Sequence, residues 1–325
     1  MSIVIAKENK KEEVMMRDVY CRTLMELASK DKNILALDAD LMKSMGMNLF
    51  LKAFPERTID CGIQEANMIG VAAGLSATGK IPYAHSFAPF ATRRCYDQIF
   101  LSAAYAKLNV KIIGSDPGVT AAFNGGTHMP LEDIGIMRNI PGVTIIEPAD
   151  SVMLSDIIKQ VAYKYGIFYV RLLRKNAVKI YEEGSSFEIG KAVKLREGRD
   201  VSIIATGIMV AEALKAADLL KDKGISAKVI NMFTIKPIDK DMIVECARET
   251  GAIVTAENHN IINGLGSAVA EVLGENYPAL LERVGVQDLF GEVGSEDYLK
   301  KRFEMTAEDI VKKVEKIIER KKQSF

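Results

Sequence analysis

The stretch "DCGIQEANMIGVAAGLSATGK", residues 60–80, sets the fold class because it joins a helical pattern to a following strand. Between residues 62 and 79 the side chains are mostly small or apolar, which predicts a helix packed closely against its neighbours. Glu65 lies at the start of this helix, with only Gln64 and Asn67 as polar company. Charged side chains are rarely buried without a partner, so Glu65 is a candidate functional residue.

The same alternation of strand and helix extends along the chain. Short apolar runs rich in β-branched residues alternate with longer helical patterns. The predicted strands of the first part are 34–40, 81–87, 110–116, 143–150 and 167–173, and the predicted helices are 14–29, 65–76, 91–108, 131–139 and 151–165. Strands that are apolar on both faces and separated by helices predict an α/β fold with a parallel sheet covered on both sides.

The segment from residue 174 to 199 changes character. It is charged and carries "GSS" at residues 184–186, and the strand–helix alternation resumes after it. We therefore predict two doubly wound α/β domains, at residues 1–175 and 200–325, with residues 176–199 as linker and domain entry. The last helical pattern, "TAEDIVKKVEKIIERKK", is amphipathic, with acids leading and lysines trailing as the helix dipole prefers.

Composition excludes several classes of protein. The chain has 43 Lys and Arg against 43 Asp and Glu, which argues against nucleic acid or an anionic membrane as the main partner. No apolar stretch approaches membrane-spanning length. The four cysteines are scattered without a metal-binding spacing, so the sequence predicts reduced thiols in a cytoplasmic protein and no metal ligands in this chain: Cys21, Cys61, Cys95 and Cys246.

Unusual polar residues follow four of the predicted strands, in "DAD", "HSFAPF", "SDPGVTAAFNGGTHMP" and "RLLRKN". Ligands of such sheets bind beyond the carboxyl ends of the strands, so a site is expected there. Neither a dinucleotide fingerprint nor a P-loop is present. Of three histidines, His128 lies in a glycine-rich loop that can present it to a ligand, whereas His85 and His259 fit a structural role equally well.

Four segments together carry a resemblance to a known family: "GIQEANMIGVAAGLSATGK", "SFAPFATRRCYDQI", "NGGTHMPLEDIGIMRNIPGVTIIEPAD" and "ENHNIINGLGSAVAE". In order and spacing they resemble the C-terminal half of transketolase, over nearly the whole chain. The resemblance implies a thiamine-diphosphate-fold pyrimidine-binding domain followed by a Rossmann-like transketolase C-terminal domain.

The resemblance also implies a partner. Transketolases hold the cofactor's diphosphate and its Mg²⁺ or Ca²⁺ in a further domain, through a GDG pattern with a downstream Asn that does not occur here. We therefore expect a split enzyme, in which a separate N-terminal transketolase subunit binds the diphosphate and the metal. A self-dimer or a heterotetramer is the implied assembly.

The resemblance assigns five residues to the cofactor. It implies that Glu65 contacts the pyrimidine ring nitrogen opposite the exocyclic amine and so prepares thiamine diphosphate to lose the proton of its thiazolium carbon. Phe87 and Phe90 match aromatic residues that enclose the aminopyrimidine. Ile63 is expected to form an apolar wall, and Asp40 matches an aspartate near the cofactor.

Further residues match substrate positions. His128 corresponds to a histidine that contacts the substrate hydroxyls near the reacting carbon and can relay protons. Ser44 and Arg174 correspond to contacts with the sugar phosphate, for which arginine provides bidentate recognition. Arg171 either assists Arg174 or pairs with an acid.

Two positions depart from the family pattern. Asn124 stands where transketolases usually have an aspartate that recognises a substrate hydroxyl, and Asp116 stands where related split enzymes often have a histidine. Exchanging a carboxylate for an amide changes which hydroxyls can be paired. The expected reaction is transfer of a two-carbon ketol unit between sugar phosphates, as in the pentose phosphate pathway, on an unusual sugar phosphate or a related ketose.

Two other functions stay open. The β subunit of a 2-oxoacid dehydrogenase's decarboxylating component has similar length and domain order, although it usually carries an HS-type histidine loop instead of "GGTHMPLED". Deoxyxylulose-phosphate synthase is a further relative, normally a single long chain. A non-catalytic α/β assembly subunit would leave Glu65 and the polar strand ends unexplained.

Overall fold

Two sheets organise residues 2–323, the part of the chain that this computed structural model describes. The strands of the first half are β1 (Ile34–Asp38), β2 (Thr58–Asp60), β3 (Ile81–Phe87), β4 (Lys111–Ser115), β5 (Thr144–Ile146) and β6 (Phe168–Leu172). Those of the second half are β7 (Val193–Arg196), β8 (Val201–Ala205), β9 (Ala227–Asn231), β10 (Thr234–Lys236), β11 (Ala252–Asn260) and β12 (Leu280–Val286). The predicted α/β class is confirmed.

Helices cover both sheets. In the first half they are α1 (Met16–Lys30), α2 (Asn48–Ala53), α3 (Glu65–Ala77), α4 (Ala88–Ala91), α5 (Tyr96–Gln98), α6 (Asp133–Arg138) and α7 (Ser151–Tyr163). In the second half they are α8 (Met209–Asp222), α9 (Lys240–Thr250), α10 (Leu265–Asn276), α11 (Glu296–Arg302) and α12 (Ala307–Gln323). Every residue of β1, β4 and β6 is buried, as predominantly apolar runs predict for parallel strands between helices.

The first sheet has the strand order β10-β5-β6-β4-β3-β1-β2 and is parallel except for β10, which pairs antiparallel with β5. A strand from the second half therefore closes one edge of the sheet of the first half. The second sheet has the order β12-β11-β8-β9-β7, with β7 as its antiparallel edge. Because β7 lies at Val193–Arg196, part of the segment 176–199 belongs to the second sheet.

The predicted helix over residues 91–108 is wrong as a single element. The segment is broken into α4, a 3₁₀ turn at Arg93–Cys95, α5 and a π-helix at Ile99–Tyr105. Thr92 has non-helical angles (φ −126°, ψ −80°), and its hydroxyl donates to the carbonyl of Ala88 at 2.6 Å. Such a bond from a side chain to the backbone competes with the regular helix and bends it.

The segment after β6 packs on the chain's N-terminal residues through isolated bridges, such as Ile5 with Tyr181 and Lys11 with Val178. Asp150 anchors the same segment. One oxygen of Asp150 caps α7 at the Met153 N–H, and the other accepts from Ile180 and Tyr181 at 2.8 Å. Burial raises the pKa of Asp150 to about 6.

Three findings bear on function classes. Within residues 2–323, no helix is both long and apolar enough to cross a membrane. In the same part of the chain, no three His, Cys, Asp or Glu side chains are grouped so that they could hold a metal ion. The four cysteines are free thiols.

Candidate active site

The carboxyl ends of β1, β3, β4 and β6 form one row, because these strands are neighbours in the sheet. Their registers place Asp38 beside His85, and Phe87 beside Ser115. Asp116 follows β4 directly, and Arg174 lies two residues after the end of β6. The predicted site residues at the strand ends therefore converge on one edge of the first sheet.

Glu65 begins α3 and is 2% exposed. Its two carboxylate oxygens accept from one terminal nitrogen of Arg94 at 2.9 and 3.0 Å, and the Ser86 hydroxyl lies 3.5 Å from Oε1. Gln64 and Asn67 are exposed. The charged neighbour of Glu65 in space is therefore not one of its sequence neighbours but Arg94, which lies in the 3₁₀ turn after α4.

Arg94 also stacks on an aromatic ring, with its guanidinium carbon 3.7 Å from the centroid of Phe90. Its side chain is 44% exposed. A planar group that donates hydrogen bonds thus lies between an aromatic face and a buried carboxylate. An aminopyrimidine ring is also planar and rich in ring nitrogens, so the residues present fit the group that the family resemblance implies.

His128 joins the aromatic residues. Its ring centroid lies 5.8 Å from that of Phe87 and 5.1 Å from that of Phe90, in edge-on geometry. Thr127 Oγ1 lies 2.9 Å from His128 Nδ1. The other ring nitrogen, Nε2, has no hydrogen-bond partner among residues 2–323 and is free to contact a ligand.

Arg174 also lies near Phe87, with its guanidinium carbon 5.4 Å from the centroid of that ring. Its Nε donates to Asp116 Oδ1 at 3.0 Å, and the Ser115 hydroxyl donates to Oδ2 at the same distance. Burial raises the pKa of Asp116, although Arg174 and Ser115 oppose the rise. Sequence reasoning named both residues but missed that they form an ion pair.

Ser44 is connected to this group through an arginine that sequence reasoning missed. Arg17, on α1, donates from a terminal nitrogen to the carbonyl of Ser44 at 2.9 Å. The Arg17 N–H donates to the carbonyl of Arg174 at 3.4 Å. Arg17 belongs to the chain's first helical pattern, which carries no loop or strand-end signal.

The remaining predicted residues lie nearer the surface. Asp40 is exposed, with φ 59°, and its N–H donates to Asp60 Oδ1 at 3.0 Å. Ile63 is 68% exposed, and Asn124 is exposed. Within the described residues, neither Ile63 nor Asn124 has a hydrogen bond or ring contact with the Glu65 group. Their roles as apolar wall and substrate contact stay predictions.

His85 makes a fully buried pair with Asp38, in which Nε2 lies 2.9 Å from Oδ2. The other oxygen of Asp38 accepts from the Leu41 N–H. Tyr20 packs edge-on against the imidazole at 6.0 Å between centroids. The pair ties β3 to the loop after β1, which carries Asp40 and Ser44.

Arg171 has no exposed surface and pairs with acids, the second of the two roles that the sequence left open. Its Nε and one terminal nitrogen donate to Asp133 at 2.7 and 3.0 Å, and the other terminal nitrogen donates to Glu147 at 2.6 Å. A further bond at 3.1 Å reaches the carbonyl of Asn258, in the second half of the chain. Arg171 therefore joins the two halves instead of binding substrate.

His259 and Glu257 extend this buried cluster. His259 Nδ1 donates to the Asn260 carbonyl at 2.6 Å, and Nε2 accepts from the Gly135 N–H at 3.3 Å, so the ring is neutral. Burial lowers the pKa of His259 to about 4. Glu257 accepts from Leu265 and Gly266 at the start of α10, and burial raises its pKa to about 7.

Asn258 connects the second half of the chain to the loop at the candidate site. Its side-chain oxygen accepts from the Val119 N–H at 2.9 Å, and its amide donates to the Pro117 carbonyl at 2.8 Å. These residues follow Asp116 directly, so the loop that carries the Asp116–Arg174 pair is clamped by β11.

The small residues of α3 divide between exposed and buried positions. Gly70 and Gly74 are exposed, and a methyl group added at either would meet nothing within 4 Å. The small residues Ala72, Ala73 and Ser76 are buried, as close packing predicts, whereas Gly70 and Gly74 take no part in packing within this chain. The buried face of α3 is formed by Met68, Ile69, Ala72 and Ala73.

Comparison with known families agrees with this fold. The family description "Transketolase, pyrimidine binding domain" matches residues 12–179, and "Transketolase, C-terminal domain" matches residues 190–310. The chain belongs to the transketolase family.

Individual relatives are described as transketolase subunits or sections. The chain is 56% identical, over 97% of its length and 98% of the relative's, to "6-deoxy-6-sulfo-D-fructose transketolase subunit SqwH" of Clostridium sp. (strain MSTE9). It is 45% identical to "Putative transketolase C-terminal section" of Methanocaldococcus jannaschii, with coverage of 92% and 95%. A solved structure described as "Split gene transketolase, inactive beta4 tetramer" matches with TM-score 0.88 at 45% identity, with coverage of 94% and 98%.

Proposed function

We propose that this chain supplies the aminopyrimidine half of the active site of a split, thiamine-diphosphate-dependent transketolase. The reaction is transfer of a two-carbon ketol unit from a ketose to an aldose. The observation that carries the proposal is the buried Glu65 carboxylate. It accepts hydrogen bonds from the planar guanidinium of Arg94, which stacks on Phe90 as an aminopyrimidine ring could. Family membership supports the use of the cofactor.

Each residue then has a role that follows from its position. Glu65 hydrogen-bonds a ring nitrogen of the aminopyrimidine and holds a proton there. Phe87 and Phe90 provide apolar faces that orient the ring and exclude water. The cofactor, when bound, supplies the carbanion chemistry. His128, whose Nε2 is free, exchanges a hydrogen bond or a proton with a substrate hydroxyl beside the reacting carbon.

A partner chain completes the site. In this proposal a separate N-terminal subunit binds the diphosphate and the Mg²⁺ or Ca²⁺, and the two kinds of chain form a heterotetramer. The exposed Gly70 and Gly74 on α3 support a second chain at this face, because small residues allow close approach of another backbone. A relative described as the inactive β4 tetramer of a split-gene transketolase supports the need for a partner.

The substrate is a ketose with an anionic head group at its distal end. Arg174, beside Phe87, is the residue that binds this group. Ser44 and Asn124 are assigned to the substrate on the family resemblance. Transketolases in general act on sugar phosphates, whereas the most similar relative named above is described as acting on a sulfosugar. Free thiols and an even charge balance support a cytoplasmic site of action.

A reconstitution assay tests the proposal. The purified chain is mixed with its diphosphate-binding partner, thiamine diphosphate and Mg²⁺, and ketol transfer is measured. Transfer is expected only in the mixture, with collapse in Glu65→Gln and retention in Glu308→Gln, a matched change in the exposed first turn of α12. Full activity of Glu65→Gln would contradict the cofactor role. Decarboxylation of a 2-oxoacid with lipoamide reduction, but without ketol transfer, would favour the dehydrogenase subunit.

A further inference from the structure

The distal end of the candidate site holds two arginines, and each has an acidic neighbour. Arg174 Nε donates to Asp116 at 3.0 Å. Arg17, which holds the Ser44 carbonyl, has its Nε 3.7 Å from Asp18. A site for a doubly charged anion would be expected to concentrate unpaired positive charge. Here the charge of Arg174 is balanced by a buried carboxylate.

Asp116 is built into the fold. It is 1% exposed, and both of its oxygens are engaged, one by Arg174 and the other by the Ser115 hydroxyl. Its φ of 57° lies in the left-handed region that favours glycine, and its N–H donates to the Leu172 carbonyl at 3.1 Å. A buried charge in an unfavourable backbone conformation is costly and persists only when the surrounding structure requires it.

The pair also orients Arg174. Asp116 accepts the hydrogen bond from the Nε of Arg174. The two terminal nitrogens of Arg174 have no hydrogen-bond partner in the part of the chain that the structure describes. Two parallel N–H groups of one guanidinium match two oxygens of a tetrahedral anion. Sulfonate and phosphate groups both present such oxygens, so geometry alone does not distinguish them.

Charge distinguishes the two groups. Around the pair, Lys175 is the remaining charged side chain that acts on Asp116, so Arg174, Asp116 and Lys175 leave one net positive charge. Arg17 Nε lies 3.7 Å from the Asp18 carboxylate, which is 43% exposed, so Asp18 offsets the charge of Arg17 only in part. A sulfonate carries one negative charge, whereas a phosphate ester carries about −1.5 to −2 at pH 7. The second charge of a phosphate would be placed near the buried Asp116 carboxylate and repelled by it.

We propose that Asp116, acting through Arg174, makes the head-group site selective for a monoanionic sulfonate over a dianionic phosphate. The inference rests on the proposed function and names the substrate class of that same site, a 6-sulfo ketose. Asp116 is a specificity-determining residue that positions and neutralises the arginine that contacts the substrate.

The test uses the assembled enzyme with its partner, thiamine diphosphate and Mg²⁺. Two donors, 6-deoxy-6-sulfofructose and fructose 6-phosphate, are compared with the same uncharged aldehyde acceptor. The wild type is expected to show kcat/KM about tenfold or more higher for the sulfo donor. Asp116→Asn is expected to shift the ratio about tenfold toward phosphate, chiefly through KM, because ground-state binding of the head group changes.

Asp18→Asn is the matched control. It removes a carboxylate beside the neighbouring arginine, but that carboxylate is 43% exposed, so solvent screens it. The expected change in the donor ratio is below about twofold. An equal shift in both variants would overturn the specific role of Asp116.

A second measurement needs no mutant and covers the case in which Asp116→Asn fails to fold. Methanesulfonate and methyl phosphate are compared as inhibitors of wild-type turnover of an uncharged ketose, and methanesulfonate is expected to inhibit more strongly. Stronger inhibition by methyl phosphate, or preference for fructose 6-phosphate, would overturn the selectivity. An unchanged ratio of kcat/KM for the two donors in a folded and active Asp116→Asn variant would also overturn the role of Asp116 in selectivity. Failure to use either donor would overturn the proposed function, and the selectivity with it.

Discussion

Two arginine–carboxylate sites in this molecule form the same kind of ion pair but differ in burial. Arg171 has no exposed surface and donates to three acceptors, Asp133, Glu147 and the carbonyl of Asn258. Arg94 is 44% exposed and reaches one carboxylate, Glu65. The first site is sealed between the halves of the chain, and the second opens to solvent.

The difference shows how a structural ion pair can be distinguished from an ion pair in a ligand-binding site. Breaking a buried pair costs about 3–5 kcal/mol because an uncompensated charge is left behind, whereas exposed pairs contribute about 0–1 kcal/mol. The Arg94–Glu65 pair lies between these cases, because the guanidinium is 44% exposed while the carboxylate is 2% exposed, so Glu65 can exchange Arg94 only for a group that replaces its hydrogen bonds. Arg171 cannot leave Asp133 and Glu147 without loosening both halves of the chain.

The largest expected effect is on activity at the open site. Glu65→Gln is expected to lower kcat of ketol transfer by about 10²–10⁴-fold in the assembled enzyme, as for loss of a proton-handling group. The chain is expected to stay folded, because glutamine fills the same volume. Steady-state kinetics and a circular dichroism melt check both parts. A loss of activity that only tracks unfolding would remove the distinction between the two sites.

The sealed site is expected to dominate stability. Arg171→Leu leaves the Asp133 and Glu147 carboxylates buried without their partner, so the free energy of unfolding is expected to fall by about 3–5 kcal/mol. Urea unfolding measures it. Arg196→Leu, which breaks a surface pair with Asp218, is the control and is expected to cost less than about 1 kcal/mol. Equal losses in the two variants would break the comparison.

The sealed cluster also predicts a pH dependence of stability. The unfolded chain protonates His259 near pH 6.5 and the folded chain only near 4, so this contribution to stability is lost as the pH falls from about 6.5 to 4. Glu257 has the opposite slope. The folded chain keeps its proton up to about pH 7 and the unfolded chain loses it near 4.5, so stability falls as the pH rises through that window.

Between pH 4.5 and 6.5 the contributions of His259 and Glu257 to the pH dependence of stability therefore have opposite signs. In Glu257→Gln, the free energy of unfolding is expected to rise by about 2 kcal/mol more across this window than in the wild type, because only the His259 slope remains. Urea titrations at both pH values measure it. His259→Asn is expected to reverse the sign, and identical slopes in the two variants would contradict the assignment.

The smallest expected effect is at Arg94. Arg94→Ala is expected to lower the free energy of unfolding by about 1 kcal/mol, since solvent reaches the guanidinium. A double-mutant cycle with Glu65→Gln isolates the coupling energy. Assembled Arg94→Ala enzyme is expected to keep activity at least about tenfold above that of Glu65→Gln. Activity as low as that of Glu65→Gln would mean that Arg94 belongs to the catalytic machinery.

Much of the fold could be predicted, because most buried strands are predominantly apolar runs and most of the intervening segments have helical spacing. Glu65, Phe87, His128 and Arg174 were predicted as site residues, and the order of strands in the sheet brings them to one edge. Strand ends carry the signal here, since a polar residue after an apolar run has few structural reasons to be there.

The missed features depend on contacts between distant segments. Arg94 was hidden in a pattern that predicted one continuous helix, and the Thr92 hydroxyl breaks that helix. The role of Arg171 was undecidable because Asp133 and Glu147 lie 38 and 24 positions away. The helical period of α3 shows which residues share a face, but it does not show that Gly70 and Gly74 face outward.

The central claim, that Glu65 acts on the cofactor, is tested most directly without a substrate. The chain is assembled with its partner, thiamine diphosphate and Mg²⁺, and exchange of the cofactor's thiazolium C2 proton with deuterium is followed by quenched-flow NMR. The wild type is expected to exchange at least about a hundredfold faster than Glu65→Gln at equal cofactor occupancy. Equal exchange rates in the two proteins, with the cofactor bound in both, would contradict the claim.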